Sequence, residues 1–478
     1  MQNSKQMKSL KSNKNLYILL AFILLGGLSS CSKWLDVKPE DKFLEEHLYS
    51  TPQGVAEIVN GFYVKLGTDA LYGSNLSSTM LDVLAQRYRI SSDKHPYYYY
   101  NNFSFAERVV ENGIASVWTQ MYNVIANIND MVRILPTVEN GMTQDQKNQY
   151  IGEAIGLRAF IHFDLLRMFG KPYDETSKTE PAIPYYRNLT TDASPIESSE
   201  QIAAKILEDI AEAEKLLAKD PIITEGSMKN FNNNRFNIYA VKALKARVYQ
   251  WINDKPAALA AAQEVIAAQD KFPWVSHSAI TISGPNTDRK FFSENLFSVF
   301  NSKLNDLYNR YFNPNLLESE ILSTSKDNII EKVYENNTSD YRYVYLWPIS
   351  TTGMRTFTKY LELSDIKNLS RFMVPVMRIS EMYYIAAESS EDPKEGLSYL
   401  NTVRQHRNIM VDITNANSLR TELTKEYQKE FFGEGQLWYY YKRNKMTSIP
   451  TTNNAWRNMT IPLSHYQFKL PLVETTPR

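Results

Sequence analysis

The stretch NIYAVKALKARVYQWINDKPAALAAAQEVIAAQ, Asn237 to Gln269, decides the fold prediction. It holds a helix rich in small and aromatic residues, a break at Asp254-Lys255-Pro256 and then an alanine-rich helix. Helix pairs of about 34 residues, with small residues where the helices touch, are typical of tetratricopeptide-like packing. Each pair leaves one apolar side bare, so several pairs must stack to form a core.

A second stretch, RISEMYYIAAESSEDPKEGLSYLNTVRQHR from Arg378 to Arg407, repeats this plan around Asp392-Pro393-Lys394. Neither copy has the full repeat pattern. Ser198 and Gln201 stand in capping-box spacing at the start of another helical pattern, residues 198–218. Apolar residues recur at the helical period of 3.6 in further segments: 115–135, 150–169, 237–252, 256–268, 378–390, 395–407 and 420–443.

Alternating, strand-like runs are few, so the sequence predicts a mostly α protein built from tetratricopeptide-like helical hairpins. Polar stretches with many prolines, asparagines and glycines separate the helices: 67–105, 171–197, 219–236 and 273–370. Loops of this length usually have a function or conceal irregular structure. We therefore expect an irregular, loop-rich region with short strands and hairpins, supported by the helices.

The N-terminus has the order of a secretory signal. Four lysines without any acidic residue precede an apolar run, Leu16 to Leu25, and small residues then lead to Cys31, the only cysteine of the chain. The run of about ten residues is too short to cross roughly 30 Å of hydrocarbon as a helix. We predict a lipoprotein signal peptide at residues 1–30 and a mature chain of residues 31–478.

The sequence Leu28-Ser29-Ser30-Cys31 resembles a bacterial lipobox, in which the cysteine thiol receives diacylglycerol after cleavage. Acyl chains contribute about 0.8 kcal/mol per buried CH₂, so several chains on one residue anchor a protein without a transmembrane helix. Cys31 is thus the predicted lipid attachment site. The alternative is a secreted protein that is cleaved at Ser30 and keeps a free thiol.

Composition excludes some classes of function. The first 30 residues hold four lysines and no acid, so the mature chain has 49 basic and 53 acidic residues, a net charge of −4. Nucleic-acid binding needs a strongly basic surface, which this balance does not provide. Aromatic residues are abundant, with 31 Tyr, 21 Phe and 7 Trp. They suit both helix packing and ligand stacking, and composition does not choose between the two uses.

The segment RYRISSDKHPYYYYNNF, Arg87 to Phe103, is the first candidate ligand-binding loop. Sugar rings present flat C–H faces that stack on aromatic side chains, while Arg, Asp and Asn bind hydroxyl groups. The candidate residues of this loop are Arg87, Tyr88, Asp93, Tyr97, Tyr98, Tyr99, Tyr100 and Asn101. The alternative is that these tyrosines pack onto nearby helices.

The segment DYRYVYLWPIS, Asp340 to Ser350, alternates like a strand and would place Tyr343, Tyr345 and Trp347 on one face. That face is either a ligand platform or part of the core, and the two interpretations are equally supported. Trp274 follows a predicted helix and is expected to cover the core.

Four charged residues lie in predicted helices: Arg158, Glu430, Glu434 and Arg443. One interpretation is catalysis by the two glutamates, which are one helical turn apart. We favour structural ion pairs, because buried charges are rarely left unpaired.

The six histidines are scattered singly, and His162 is expected to be a hydrogen-bonded core residue. No zinc-ligand spacing, phosphate-binding loop or nucleophile elbow is present, so we predict no metal and no cofactor. Oxygen-rich residues 336–342 leave calcium binding open, although they lack the EF-hand pattern.

Several blocks resemble the SusD/RagB family of outer-membrane lipoproteins of Bacteroidetes. The blocks occur in the family's order over nearly all of the mature chain: CSKWLDVKPEDKF after the lipobox, LYSTPQGVAEIVNGFYVKL (48–66), VWTQMYNVIANIND (117–130), GEAIGLRAFIHFDLLRMFGKPY (152–173), RISEMYYIAAES with LNTVRQHRN, and LTKEYQKEFFGEGQLWYYYKR (423–443).

The resemblance implies one SusD-like domain over residues 31–478. Its helical scaffold would comprise residues 48–66, 115–169, 198–268 and 378–443, with loop-rich, ligand-facing regions at 67–105 and 273–370. It also implies a cell-surface position at the outer membrane, a SusC-like TonB-dependent transporter as partner, and no enzymatic activity.

Three functions are therefore considered. The leading hypothesis is a surface lipoprotein that binds an oligosaccharide by aromatic stacking and delivers it to the transporter. The second keeps the scaffold but makes the ligand a peptide, as in the RagB branch. The third is a helical glycosidase, which would need two carboxylates about 5–10 Å apart across a cleft. Glu430 and Glu434 lie on one predicted helix and do not obviously face each other, which opposes the third hypothesis.

Overall fold

The computed structural model describes residues 47–189, 193–282, 284, 286–324, 328–349 and 355–475. The predicted signal peptide and the predicted lipid attachment site, Cys31, lie outside the described residues. Helices and strands are numbered here in chain order.

Long helices form the scaffold. They are α1 (Pro52–Leu66), α4 (Arg108–Ile134), α5 (Gln144–Phe169), α6 (Ser199–Leu216), α8 (Ile238–Trp251), α9 (Lys255–Ile266), α14 (Ile379–Ser389), α15 (Pro393–Gln405), α16 (Leu419–Glu430) and α17 (Gln436–Arg443). The prediction of a mostly helical protein is confirmed.

Short helices lie between them. They are α2 (Met80–Leu84), α3 (Tyr98–Asn101), α7 (Ile222–Glu225), α10 (His277–Thr281), α11 (Leu304–Tyr311), α12 (Asn328–Lys332), α13 (Tyr341–Leu346) and α18 (Leu472–Thr475).

Side-chain caps define where the scaffold helices begin. Ser198 accepts from the backbone N–H of Gln201, whose side chain bonds back to the Ser198 N–H, so α6 begins with the predicted capping box. Asp254 accepts from the N–H of Ala257 at the start of α9, and Asp392 accepts from Lys394 N at the start of α15. These caps satisfy N–H groups that have no partner inside the helix.

The predicted helix pairs α8–α9 and α14–α15 form and stack on each other, with α9 packed against α14. Small residues make close packing possible. A Cβ atom on Gly396 of α15 would lie 2.6 Å from the carbonyl oxygen of Ala387 in α14. The tetratricopeptide-like arrangement predicted from the sequence is confirmed.

Helix α5 is the centre of the scaffold, because every residue from Ile151 to Phe169 is buried. Two glycines allow neighbouring elements to approach it closely. A Cβ atom on Gly152 would lie 2.8 Å from the side chain of Leu216 in α6, and one on Gly156 would lie 2.9 Å from Val241 in α8.

In the described residues, six short strands form three antiparallel pairs: β1 (Pro181–Pro184) with β2 (Ile196–Ser198), β3 (Asn295–Phe300) with β4 (Met373–Arg378), and β5 (Ser448–Thr451) with β6 (Arg457–Thr460). Short strands occur in the polar stretches, as expected: β1 lies in 171–197 and pairs with β2, and β3 lies in 273–370. The described parts of 67–105 and 273–370 otherwise have mainly short helices and turns. The turn residues there begin single helical turns through side-chain caps, as Asp340 does for α13.

The predicted helix at 420–443 is two helices, because the chain turns between α16 and α17. Gly433 and Gly435 have φ values of +75° and +68° there, which residues with a Cβ rarely adopt. The Asp82 carboxylate of α2 accepts from the N–H of Gly435 at 3.1 Å and from the N–H of Gly433 at 2.6 Å. This turn therefore fastens the loop-rich region to the end of the scaffold.

None of the helices in the described part of the chain combines the length and the apolarity that crossing a membrane requires.

The Asp82 contact predicts a pH-dependent contribution to stability. Burial raises the pKa of Asp82 to about 7, although both glycine N–H groups and the nearby cations Arg87 and Lys359 stabilise its anion. The pKa is about 3.9 in an unfolded chain. Because the folded state holds the proton more tightly, this contribution is complete below about pH 4 and is lost as the pH rises toward 7.

We expect Asp82→Asn, which cannot ionise, to be less stable than the wild-type protein at pH 5, since the amide accepts poorly from two N–H groups. The stability difference should shrink between pH 5 and pH 8. Denaturant unfolding at both pH values measures this difference, and the exposed Asp93→Asn is the control. An identical pH dependence in Asp82→Asn and the wild-type protein would show that Asp82 does not titrate in this range.

Candidate functional site

A network of buried charges lies between the loop-rich region and the scaffold. Its carboxylates are Glu294, Asp340, Glu426, Glu430 and Glu434. Its cations are Arg342, Lys359, Arg378, Arg404, Arg407 and Lys429. All are buried, and each has a charged partner among the others.

Glu430 is the centre of the network. It pairs with Arg378 at 2.5 Å, with Arg407 at 2.6 Å and with Arg342 at 2.9 Å. These cations hold the pKa of Glu430 well below its usual range despite the opposing effect of burial. A carboxylate that is permanently ionised and shared by three guanidinium groups is poorly suited to transfer protons.

The network joins distant segments. Arg407 bonds to Glu294, the residue that precedes β3, at 2.6 Å. Arg342 bonds to Glu426 at 2.8 Å, which ties α13 to α16. Lys359, which lies between α13 and β4, bonds to Glu434. The loop-rich region is therefore fixed to the C-terminal scaffold helices by charge-assisted hydrogen bonds.

The predicted structural role of the charged residues is confirmed. Glu434 pairs with Arg378 at 2.9 Å and lies on the turn between α16 and α17. Arg443 pairs with Glu388 at 2.7 Å, and Arg158 pairs with Asp209 at 2.7 Å. His162 is also a satisfied core residue, because its Nδ1 contacts the Arg158 carbonyl and its Nε2 accepts from the Tyr186 N–H.

Residues 340–349 do not form the strand that their sequence predicts. Tyr341–Leu346 form helix α13 instead of a strand, because Asp340 caps the Arg342 N–H and so favours a helical turn. Residues two apart point to different sides of a helix. Tyr343 and Trp347 are accordingly buried, whereas Tyr345 is half-buried. The prediction that these three side chains share one face is wrong.

Several predicted ligand-binding residues form a buried aromatic cluster around Phe432. Arg87 lies over the Phe432 ring at 3.5 Å, Trp347 packs against it at 4.9 Å and Tyr88 at 6.4 Å. Tyr88 and Trp347 are fully buried. These side chains support the loop-rich face from below and present no surface for stacking.

The tyrosine-rich loop is divided between core and surface. Tyr97, Tyr100 and Asn101 are buried, and the Tyr97 ring packs against Tyr100 at 5.6 Å. Tyr98 is half-buried and Tyr99 is 36% exposed, and Asp93 is also exposed. Of the residues predicted in this loop, these three remain accessible to a ligand.

The accessible tyrosines define a surface that we call the tyrosine platform: Tyr98, Tyr99 and Tyr311. Tyr311 of α11 packs edge-on against Tyr97 at 5.4 Å, which places it beside the loop. Tyr98 and Tyr99 are in edge-to-face contact at 5.4 Å. The local sequence around Tyr311 contains no signal for its contact with Tyr97.

Ion pairs surround the tyrosine platform. Arg310 pairs with Asp69 at 3.2 Å, and Arg89 pairs with Glu318 at 3.1 Å. The N–H of Arg89 also donates to the Ser323 carbonyl at 2.8 Å, which fixes the loop beside the segment that follows α11. No sequence pattern indicated Arg310, Asp69 or Glu318, since three separate segments provide them.

A second aromatic cluster lies where α10 meets α13. The His277 ring nitrogen is 2.5 Å from the Tyr341 hydroxyl, and Tyr341 packs against Tyr345 at 5.9 Å. Trp274 is half-buried and stacks on His406 at 4.4 Å. It covers part of the core by packing on Tyr383, in line with its predicted position.

The described residues contain no group of three or more His, Cys, Asp or Glu side chains arranged to hold a metal ion. The accessible chemistry of the tyrosine platform is instead that of aromatic faces, guanidinium groups and carboxylates. This mixture is suited to binding a polyhydroxylated ligand by stacking and hydrogen bonding.

Comparison with known proteins gives three kinds of match. A SusD-like family model, described as starch-binding and associating with the outer membrane, matches residues 33–250. SusD-like protein P38 of Formosa agariphila is 23% identical and the alignment covers 92% of this chain and 93% of that protein. SusD-like protein P2 of the same organism is 25% identical over 38% of this chain and 33% of that protein.

Solved structures share the fold. A SusD superfamily protein from Bacteroides thetaiotaomicron has a TM-score of 0.68 at 20% identity, covering 89% of this chain and 97% of that one. A putative sugar binding protein from Bacteroides vulgatus has a TM-score of 0.68 at 19% identity, and the match covers 89% of this chain and 96% of that one. Surface glycan-binding protein A from Bacteroides thetaiotaomicron has a TM-score of 0.65 at 17% identity, and the match covers 89% of this chain and 97% of that one.

The ion network predicts a large loss of stability when its centre is removed. Glu430→Gln takes one negative charge away from three buried arginines, and breaking a buried pair costs about 3–5 kcal/mol. We expect Glu430→Gln to lower the free energy of unfolding by that amount in denaturant titrations. The control, Glu395→Gln at an exposed position of α15, should change it by less than about 0.5 kcal/mol. Equal stabilities of the two variants would show that the network does not stabilise the fold.

Proposed function

Since this chain belongs to the SusD/RagB family, we propose that it is a cell-surface lipoprotein that captures an oligosaccharide and delivers it to a SusC-type TonB-dependent transporter. The family membership predicted from the sequence is confirmed by the family model, the curated relatives and the shared fold. Carbohydrate binding and association with the outer membrane are properties of this family.

In this proposal residues 31–478 form one domain whose loop-rich regions, 67–105 and 273–370, face the ligand. The tyrosine platform supplies the binding surface. Its support comes from accessible tyrosine rings next to ion-paired arginines and acids, on a face that is fixed by the buried network. This placement is the observation on which the proposed site depends.

Capture without reaction fits the arrangement of charges. A glycosidase would need two carboxylates on opposite sides of a substrate, one of them able to donate a proton. Glu430 and Glu434 are instead buried and committed to Arg378 and other cations. Binding requires only a surface that recognises the ligand before it passes to the transporter.

Removal of the platform tyrosines should weaken glycan binding. Aromatic contacts are worth on the order of 1 kcal/mol beyond their buried area, and we take the same magnitude for a sugar face stacked on a tyrosine ring. We expect Tyr98→Ala and Tyr99→Ala each to raise the Kd for a starch-type oligosaccharide about five- to ten-fold in calorimetry, with an unchanged melting temperature. Tyr399→Ala, a half-buried tyrosine on α15, is the control.

Three results would contradict this assignment. Both platform variants could keep the wild-type Kd while Tyr341→Ala or Tyr345→Ala binds the oligosaccharide more weakly. That result would place the site at the second aromatic cluster. Binding of peptides and of no glycan in the same titrations would favour the RagB-like alternative. Shorter sugars released during incubation would indicate an enzyme.

The lipid anchor is testable separately from the ligand. Without the Cys31 thiol no thioether to diacylglycerol can form, so the chain would lack its anchor. We expect Cys31→Ala to abolish labelling by radioactive palmitate and to remove the protein from the outer-membrane fraction. Ser32→Ala is the control and should be labelled like the wild-type protein. A Cys31→Ala protein that is still labelled and still membrane-bound would contradict the anchor.

A further inference from the structure

A groove on the helical side of the molecule is distinct from the tyrosine platform. It has a volume of about 790 Å³ and lies among the ends of α8, α14 and α17 and the beginnings of α9, α15 and α16. Pockets of about 300–1,000 Å³ are typical of small-ligand sites. Its size therefore suits a short oligomer of a few units.

A small cavity of about 30 Å³ adjoins the groove. Four side chains line both spaces: Gln250, Trp251, Tyr440 and Arg443. A cavity needs about 10–15 Å³ by this measure to hold one water molecule. The cavity is therefore large enough for the two oxygen atoms of one carboxylate group.

Three buried hydrogen-bond donors line this cavity without an acceptor in the described part of the chain. They are Nη1 of Arg247, Nε1 of Trp251 and the hydroxyl of Tyr439. Each of the three side chains is at most 4% exposed. Buried polar groups normally have partners, and leaving a donor without one costs free energy. Three such donors around one cavity indicate a place for an acceptor group.

The chemistry around the cavity favours a group that only accepts hydrogen bonds, such as a carboxylate. Two of the three arginines in its lining, Arg167 and Arg443, already pair with carboxylates, so the donor left over belongs to Arg247. Glu381 pairs with Arg247 at 2.5 Å through Nη2 and at 2.7 Å through Nε, so Nη1 of Arg247 remains available. Hydrogen bonds from a guanidinium to a carboxylate are among the strongest in proteins.

The outer groove indicates which molecule bears the carboxylate. Its lining includes amide side chains, Asn253, Asn417 and Asn444, and the half-buried ring of Tyr173, which suit hydroxyl groups and a sugar face. Four acidic and four basic side chains also line it, so the groove carries charges of both signs in equal number. Helices and loops form the lining, and none of the named strands contributes to it. A peptide that binds by strand addition needs a sheet edge, which this groove does not offer.

We propose that the groove is a second carbohydrate site, which binds an acidic oligosaccharide and places one uronate carboxylate in the arginine-lined cavity. Arg247, Trp251 and Tyr439 donate to the carboxylate, and the amides of the groove bind sugar hydroxyls. This site does not depend on the tyrosine platform, so failure of either assignment leaves the other intact.

Calorimetry with the mature chain tests the proposal, with tetragalacturonate and the neutral maltotetraose as probes. We expect tetragalacturonate to bind and maltotetraose not to displace it. Tyr439→Phe removes only the unpartnered hydroxyl and should raise the Kd for tetragalacturonate about ten-fold without lowering the melting temperature. Trp251→Phe removes a second donor and should act in the same direction. Tyr98→Ala on the platform should leave this Kd unchanged.

Tyr441→Phe is the matched control, because Tyr441 lies on the same helix, is buried and has its hydroxyl bonded to Gln428. It should bind tetragalacturonate like the wild-type protein. The proposal is overturned if tetragalacturonate does not bind at millimolar concentration, or if Tyr439→Phe and Trp251→Phe bind it unchanged. If tetraalanine binds instead of tetragalacturonate, and amidation of the tetraalanine C-terminus abolishes that binding, the groove is a peptide site.

Discussion

The buried ion network around Glu430 is the constraint on which the rest of the structure depends. Moving so many charges out of water costs several kcal/mol per ion, and only mutual pairing offsets that cost. The arrangement is therefore strict: Arg342, Arg378 and Arg407 must all reach one carboxylate. A loop-rich region that shifted by a few ångströms would leave buried charges without partners. The network thus selects one position of the loops relative to the helices.

This constraint explains how an irregular region can offer a defined binding surface. Region 273–370 has few regular elements of its own, yet Glu294 and Arg342 connect it to scaffold helices. The turn at Gly433 and Gly435 holds α2 through Asp82. The buried cluster around Phe432 then supports the loops from below. A binding surface that is already ordered loses less entropy when a ligand binds.

Much of the scaffold could be predicted from the sequence because its signals are local. The capping box at Ser198, the helical period of α6 and the break at Asp254 each depend on residues close together in the chain. The structural role of Glu430 also followed from a general rule, that buried charges are paired. The identity of its partners did not follow, because Glu294, Arg342 and Arg378 come from separate segments.

The candidate site was harder to predict for the same reason. Alternation in residues 340–350 suggested a strand, but the Asp340 cap produces a helix that buries Trp347 and leaves Tyr345 half-buried. A run of tyrosines likewise does not reveal that Tyr97 packs inward on Tyr311 while Tyr99 is exposed. Burial of a loop residue is decided by tertiary contacts, which a single sequence does not display.

The central claim is that the loop-rich face, fixed by the ion network, is the surface that receives a sugar. Hydrogen–deuterium exchange of the mature chain, with and without a saturating starch-derived oligosaccharide, tests it most directly. The account predicts slower exchange in peptides covering residues 89–101 and 304–311, and unchanged exchange in α8 and α9. Protection confined to the helical pairs, with none on the loop-rich face, would contradict it.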